Sequence, residues 1–145
     1  MKIHLATDHA GLELKNNIKD YLISKGQDVT DHGAHEYDAQ DDYPDYIFPC
    51  AKAVAADPES RGIILGGSGQ GEAMAANRVR GVRAAVYYGS EKEIVQLSRG
   101  HNNANVLSLG ARFISEQVIY EVIETWLDKP FEGGRHQRRI DKLDI

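Results

Sequence analysis

Apolar residues recur along the chain in two different periods. Short apolar runs at Ile3–Ala6, Gly62–Leu65, Val82–Tyr87 and Val106–Leu109 predict buried strands, with a weaker strand at Gln27–Thr30. Between them the apolar positions return at helical spacing. Leu12, Ile18, Tyr21 and Leu22 mark a first helix, stopped by Gly26 as a C′ glycine. Tyr43-Pro44-Asp45-Tyr46 opens a second, which runs through Ile47, Ala51, Val54 and Ala55 and breaks at Asp57-Pro58. A third continues to Val79. Ser90, with Glu93 at the capping-box position, opens a fourth that ends near Arg99-Gly100. The last long helix spans Ser115 to Leu127, and the tail from Phe131 carries a short one. From Asp31 to Asp42 the chain is polar and loop-like, and the stretch from His32 to Asp42 reads as a solvated loop. Strands alternating with helices predict an α/β fold, a five-stranded parallel sheet covered on both faces. The expected organisation is one domain over residues 1–145, with a C-terminal arm from about 131.

In such a sheet ligands bind at the carboxyl ends of the strands. One of those ends carries Gly66-Gly67-Ser68-Gly69-Gln70-Gly71-Glu72, between a strand and a helix. This arrangement aims backbone N–H groups and a positive helix end at an anion. The loop lacks the lysine of a P-loop, and Glu72 stands where a dinucleotide fingerprint has its third glycine. Sugar-phosphate or phosphate binding and a merely tight turn both remain open on spacing. A carboxylate beside an anion nest is poor design for binding alone and makes sense if Glu72 moves a proton.

Asp8 and His9 end the first strand, either as a helix cap or as an acceptor and cation for a ligand. Arg112 ends the last strand. His101 and Asn102 lie in a loop rich in turn formers, at the wrong end of their own strand to reach that site. Arg135 and Arg139, four apart, form either a phosphate clamp or a solvated basic tail. The histidines and carboxylates between His32 and Asp42 have no recognised metal-ligand spacing, and His4, inside a strand, reads as structural.

Composition narrows the classes. The 145 residues are 41% hydrophobic and 27% charged, with net charge −5, so there is no basic footprint for nucleic acid. The one cysteine, Cys50, excludes an intramolecular disulfide and reads as a small buried helix residue in a reducing compartment. No signal peptide or membrane-length apolar run is present, so the expectation is a soluble cytoplasmic protein without membrane contact.

Taken in order, Thr7-Asp8-His9-Ala10-Gly11, Asp42-Tyr43-Pro44-Asp45, the glycine loop with Ala75-Ala76-Asn77, His101-Asn102-Asn103-Ala104-Asn105-Val106, Gly110-Ala111-Arg112 and Arg135-His136-Gln137-Arg138-Arg139-Ile140-Asp141 resemble the ribose-5-phosphate isomerase B family. That family lies within a wider group containing the galactose-6-phosphate isomerase subunits. The resemblance implies a three-layer Rossmann-like fold and a homodimer or tetramer with active sites shared between subunits. It also implies aldose–ketose isomerisation of a sugar phosphate without metal or organic cofactor. Many members carry a cysteine base where this chain has Gly66; the chain is similar instead to the branch in which the loop glutamate takes over. The implied roles are Glu72 as the base working through a cis-enediolate, and His101 as the acid that opens the sugar ring. Gly67, Ser68, Gly69, Gln70 and Gly71 would hold the enediolate oxygens. Asp8 and Asn102 would hold hydroxyls, Tyr43 would pack on the sugar, and His9, Arg135 and Arg139, with Arg112, would hold the phosphate. Ribose 5-phosphate is the expected substrate. A six-carbon sugar phosphate, such as allose 6-phosphate or galactose 6-phosphate, and a non-catalytic sugar-phosphate sensor are the alternatives.

Overall fold

The computed structural model describes residues 1–145. Strands β1 (Lys2–Thr7), β2 (Asp28–Asp31), β3 (Arg61–Gly66), β4 (Ala84–Tyr87) and β5 (Val106–Gly110) form one sheet in the order β2-β1-β3-β5-β4. Every pairing is parallel. Helices α1 (Leu12–Ser24), α2 (Pro44–Ala56), α3 (Gln70–Ala76), α4 (Glu93–Gly100) and α5 (Glu116–Asp128) connect them, and α6 (Arg135–Ile140) follows. The predicted α/β sandwich is therefore observed in three layers.

Strand residues alternate between two cores, as a period of two requires. Ile3, Leu5, Ile63, Leu65, Leu107 and Leu109 pack with α1, α4 and α5, around a fully buried Trp126. Ala6, Ile64 and Val106 turn to the other face and meet Ile47, Cys50 and Val54 of α2 and Ala75 and Ala76 of α3. Cys50 is buried as expected. Gly26, at φ +83°, ends α1: its N–H donates to Ile23 O and that of Gln27 to Leu22 O, both at 3.0 Å. No helix is long and apolar enough to cross a membrane.

Two local expectations need correction. Ser90 does not cap α4; it sits at φ +77°, its carbonyl accepting from the Tyr87 hydroxyl at 3.1 Å, and α4 starts at Glu93 without a side-chain cap. β4 starts at Ala84 rather than Val82, because residues after α3 turn tightly and Asn77 brackets Ala84. The Asn77 Oδ1 accepts from Ala84 N–H at 2.8 Å and its Nδ2 donates to Ala84 O at 3.0 Å. α3 accordingly stops at Ala76, short of Val79.

Residues 35–40 are solvated as expected, but both ends of the stretch from His32 to Asp42 are tied down, with Gly33 and Ala34 buried. Lys15 on α1 is completely buried and its Nζ donates to Asp31 Oδ1 at 2.7 Å and to the Ala34 carbonyl at 2.5 Å. Burial would raise the Asp31 carboxyl, but Lys15 and the Gly33 N–H outweigh it and hold the group below its ordinary range. Main-chain bonds from Thr7 N–H to Gly33 O at 2.8 Å and from Ala34 N–H to Thr7 O at 2.6 Å tie the same segment to the end of β1. His4, as expected, is structural: its Nδ1 lies 2.9 Å from Nε2 of His32, the residue after β2.

Replacing Lys15 with Met leaves the Asp31 charge buried without its main partner, and is expected to cost about 3–5 kcal/mol of folding stability. Urea denaturation checks this; a loss below 1 kcal/mol, within about the range of an exposed pair, would mean the ion pair does not anchor the segment.

Candidate active site

The sheet order reverses direction between β1 and β3, and the carboxyl ends of these two strands open onto one place. β3 ends at Gly66, the chain passes through Gly69 at φ +79°, and α3 begins at Gln70. Residues after β5 brace the loop from behind. Gly66 O accepts from Ala111 N–H at 2.8 Å, Gly67 O from Arg112 N–H at 3.1 Å, and Gly69 O from Ser108 Oγ at 2.6 Å. With the carbonyls held this way, the N–H groups of Gly67, Ser68, Gly69 and Gly71 have no acceptor in the protein. Gln70 N–H is satisfied by Ser68 Oγ at 3.3 Å. Unpaired N–H groups on successive residues make an anion-binding nest.

Glu72, on the first turn of α3, is only 5% exposed. Its carboxylate folds back over Gly66 and fills the volume that a Cβ at position 66 would occupy. Burial raises the Glu72 carboxyl above its ordinary range; its own backbone N–H opposes this, and the charge of Asp8 adds to the rise. Glu72 is thus a carboxylate tuned toward holding a proton, set beside a nest for negative oxygen.

Around it stand Asp8, His9, Tyr43 and Arg112. Asp8 is buried and caps the short 3-10 turn His9–Gly11, its Oδ1 accepting from Ala10 N–H at 3.0 Å. The Tyr43 hydroxyl lies over Gly71, close enough that a side chain there would displace it, and the Arg112 guanidinium lies over Gly67. His9 Nδ1 lies 2.6 Å from Asp41 Oδ1. That hydrogen bond is the main reason the imidazole is pushed up from its ordinary value, with burial, and to a smaller extent Arg112, pulling the other way. Asp41 thereby favours an imidazolium, a good partner for phosphate. Nothing in the sequence marked Asp41 as part of a site, since its partner is 32 residues away.

His101, Asn102, Arg135 and Arg139 fall elsewhere. His101 and Asn102 precede β5, whose five residues separate them from Gly110 by about 17 Å. His101 stacks on His136 of α6 with ring centres 4.3 Å apart, and shares a cavity of about 230 Å³ with Asn102 and Arg139. Arg135 and Arg139 occupy α6, exposed to solvent. The expected site residues therefore form two separate groups on one chain. A larger cavity, about 650 Å³, opens beside His9 and Tyr37 but is edged by Glu13 and Glu116 and not by the glycine loop, which makes it a poor anion site.

Two clusters bring metal-ligating atoms within 4.8 Å of one another, His101 with Glu132 and His136, and Asp8 with His9 and Asp41. Neither has a metal's geometry. The His101 and His136 rings lie nearly parallel, 13° apart, so their lone pairs run side by side instead of converging. The His9–Asp41 separation is that of a direct hydrogen bond, shorter than the roughly 3.3 Å between two ligands of a tetrahedral zinc.

A model of the family described as Ribose/Galactose Isomerase matches residues 3–143. The chain belongs to the ribose/galactose isomerase family. It is 43% identical to ribose-5-phosphate isomerase B of Mycolicibacterium paratuberculosis, over 99% of this chain and 89% of that protein. Among solved structures of the family, ribose-5-phosphate isomerase B of Mycoplasma genitalium with bound ribulose 5-phosphate superposes with a TM-score of 0.93. Identity there is 43%, covering 98% of this chain and 93% of that one. The Thermotoga maritima ribose-5-phosphate isomerase gives 0.92 at 43% identity, covering 99% and 97%. Fold and family thus agree with the resemblance drawn from the motifs.

For this family member, Asp41→Asn is expected to lower the His9 imidazole toward its ordinary value of 6.5, because the hydrogen bond and charge that raise it are weakened. An NMR titration of the His9 ring reads this directly. An unchanged titration would mean that Asp41 does not set the charge of His9.

Proposed function

We propose that this protein interconverts ribose 5-phosphate and ribulose 5-phosphate, with Glu72 as the base. The observation that carries the reading is the buried Glu72 carboxylate beside the unpaired N–H groups of the glycine loop. Glu72 takes the proton from C2 of the open aldose, leaving a cis-enediolate, and returns it to C1 to form the ketose. A raised pKa suits a base that must give its proton back. The N–H groups of Gly67, Ser68, Gly69 and Gly71, with the Ser68 hydroxyl that the Gln70 N–H holds in place, stabilise the negative oxygens as charge develops. Asp8 holds a sugar hydroxyl, Tyr43 packs on the sugar, and His9 with Arg112 faces the phosphate. No step calls on a metal or an organic cofactor.

The remaining roles belong to a second copy. His101, as the acid that protonates the ring oxygen, Asn102, holding a hydroxyl, and the phosphate clamp Arg135 and Arg139 would come from a partner subunit. In this reading residues 1–145 form one domain whose arm, from about 131, helps build the neighbour's site in a homodimer or a tetramer of dimers. Its support is the division of the expected residues into two distant groups, together with the exposure of Met74, Tyr88, Phe113 and Leu143. A cytoplasmic setting fits the single buried free thiol and the sugar-phosphate chemistry. The family description names galactose as well as ribose, so a six-carbon sugar phosphate remains the second reading.

Isomerisation of ribose 5-phosphate, assayed with EDTA present, tests the proposal. Glu72→Gln is expected to lower kcat by about 10²–10⁴-fold; near-normal kcat would remove Glu72 as the base. If the folded wild type turns over only allose 6-phosphate or galactose 6-phosphate, the second reading takes over. Site sharing has its own test. Glu72→Gln and His101→Ala are each expected to be nearly inactive alone. Unfolded together and refolded, they should recover about a quarter of wild-type activity, because half of the dimers then hold one intact site. No recovery would place His101 outside a shared site.

A further inference from the structure

At the opposite end of the sheet from the glycine loop, Arg61, Arg83 and Arg99 surround a cavity of about 440 Å³. Arg61 begins β3 and Arg83 immediately precedes β4, while Arg99 comes from the end of α4. Arg99 is 6% exposed, and the other two are half-buried. Arginines buried to this degree ordinarily pair with carboxylates. These three do not: every ion pair in the chain lies elsewhere.

Part of each guanidinium is fixed by neutral oxygens. Arg61 Nη1 donates to the Trp126 and Leu127 carbonyls at 3.1 and 3.0 Å. Arg99 Nε donates to Lys129 O at 3.3 Å, and its Nη1 to Ala104 O at 2.7 Å and Asn103 Oδ1 at 2.9 Å. Arg83 Nε donates to Asn103 O at 2.8 Å and its Nη1 to Gly81 O at 3.2 Å. In all three, Nη2 has no acceptor in the protein.

The carbonyls at the end of α5 offset only a fraction of this charge, since a helix terminus carries about half an elementary charge. Burial, and then the charges of Arg61 and Arg83, bring Arg99 down to about 10. The carboxylates nearby are Glu59, exposed at the cavity rim, and Asp144, which faces Arg83 and accepts from Gly81 N–H. A concentrated positive site on a chain of net charge −5 runs against the overall balance.

We propose that this cavity binds a small phosphate-bearing anion, at a site separate from the isomerase centre. With Nη1 held in all three, and Nε also held in Arg83 and Arg99, each guanidinium keeps its Nη2 for a tetrahedral oxyanion, and three such charged donors match its several acceptor oxygens. The cavity's size favours inorganic phosphate, pyrophosphate or a small phosphate monoester. Asn103 bonds both Arg83 and Arg99 and lies two residues after His101, so occupancy braces the turn that presents His101 and Asn102.

The test is an NMR titration of ¹⁵N-labelled protein with inorganic phosphate and with pyrophosphate at constant ionic strength. A second arm uses ribose 5-phosphate on the Glu72→Gln protein. Saturable shifts are expected at the Nε–H groups of Arg61, Arg83 and Arg99 and at the amides of Asn103 and Asn105. Arg83→Gln should weaken this binding about tenfold or more at unchanged Tm, leaving the response of Gly67–Gly71 as in wild type. Arg83→Lys should fall between the two, and replaces the glutamine variant if that one unfolds. Shifts with the inorganic ions alone assign the site to free phosphate, and shifts with the ester as well assign it to phosphorylated metabolites. No saturable shift at these residues with any of the three, or equal binding by wild type and the Arg83 variants, would overturn the proposal.

Discussion

Glu72 can bury its carboxylate only because position 66 has no side chain. The carboxyl group fills the space next to the Gly66 backbone, and the loop, its nest of N–H groups and the start of α3 are built around that placement. Removing a carboxylate from water disfavours its charge, which turns an ordinary acid into a group able both to take and to return a proton. A larger residue at 66 would push the carboxylate outward, toward solvent. The vacancy at Gly66 and the acid at Glu72 are therefore one feature, although six residues separate them in the chain. It also gives a physical reason why a side-chain base at position 66 and a buried glutamate at 72 would exclude one another.

The second constraint is the buried pair of Lys15 and Asp31. It joins α1 to the end of β2 and holds the segment that follows against Thr7. Asp41 reaches His9 only because that segment is laid along the edge of the site. The stabilising ion pair and the hydrogen bond that charges His9 thus lie on one stretch of chain, the first inside the fold and the second facing the ligand. A buried pair of this kind is costly to break and adds less net stability than its Coulomb attraction suggests. Its value here lies in fixing one path for a segment with little apolar surface of its own.

Much of the fold was legible in the sequence, because parallel strands buried on both faces must be continuously apolar and the helices between them must be amphipathic. Gly26 could be read as a helix stop from its position alone, since a local backbone conformation decides it. Ser90 could not. Its spacing to Glu93 satisfies a capping box, yet Gly89 and Ser90 both take left-handed conformations and the hydroxyl of Tyr87 holds the turn. The polar stretch after β2 was misread for a related reason. Composition counts Ala34 and Asp41 as part of a solvated loop, whereas their environment depends on Lys15 and His9 arriving from other elements. The glycine loop and Glu72 stood out because seven consecutive residues carry their chemistry; the three arginines below the sheet did not, because no two are near in sequence.

By itself, then, the sequence determined the alternation of strand and helix, the glycine turn with its acid, and the family. All of these are written in short-range patterns or in motifs kept in order. Tertiary structure alone decided the burial of Glu72 over Gly66, the union of Asp41 with His9, and the crowding of Arg61, Arg83 and Arg99. The physical reason is common to all three. Desolvation and Coulomb interaction depend on distance through space, and those distances are set by how the two cores pack against the sheet, not by spacing along the chain.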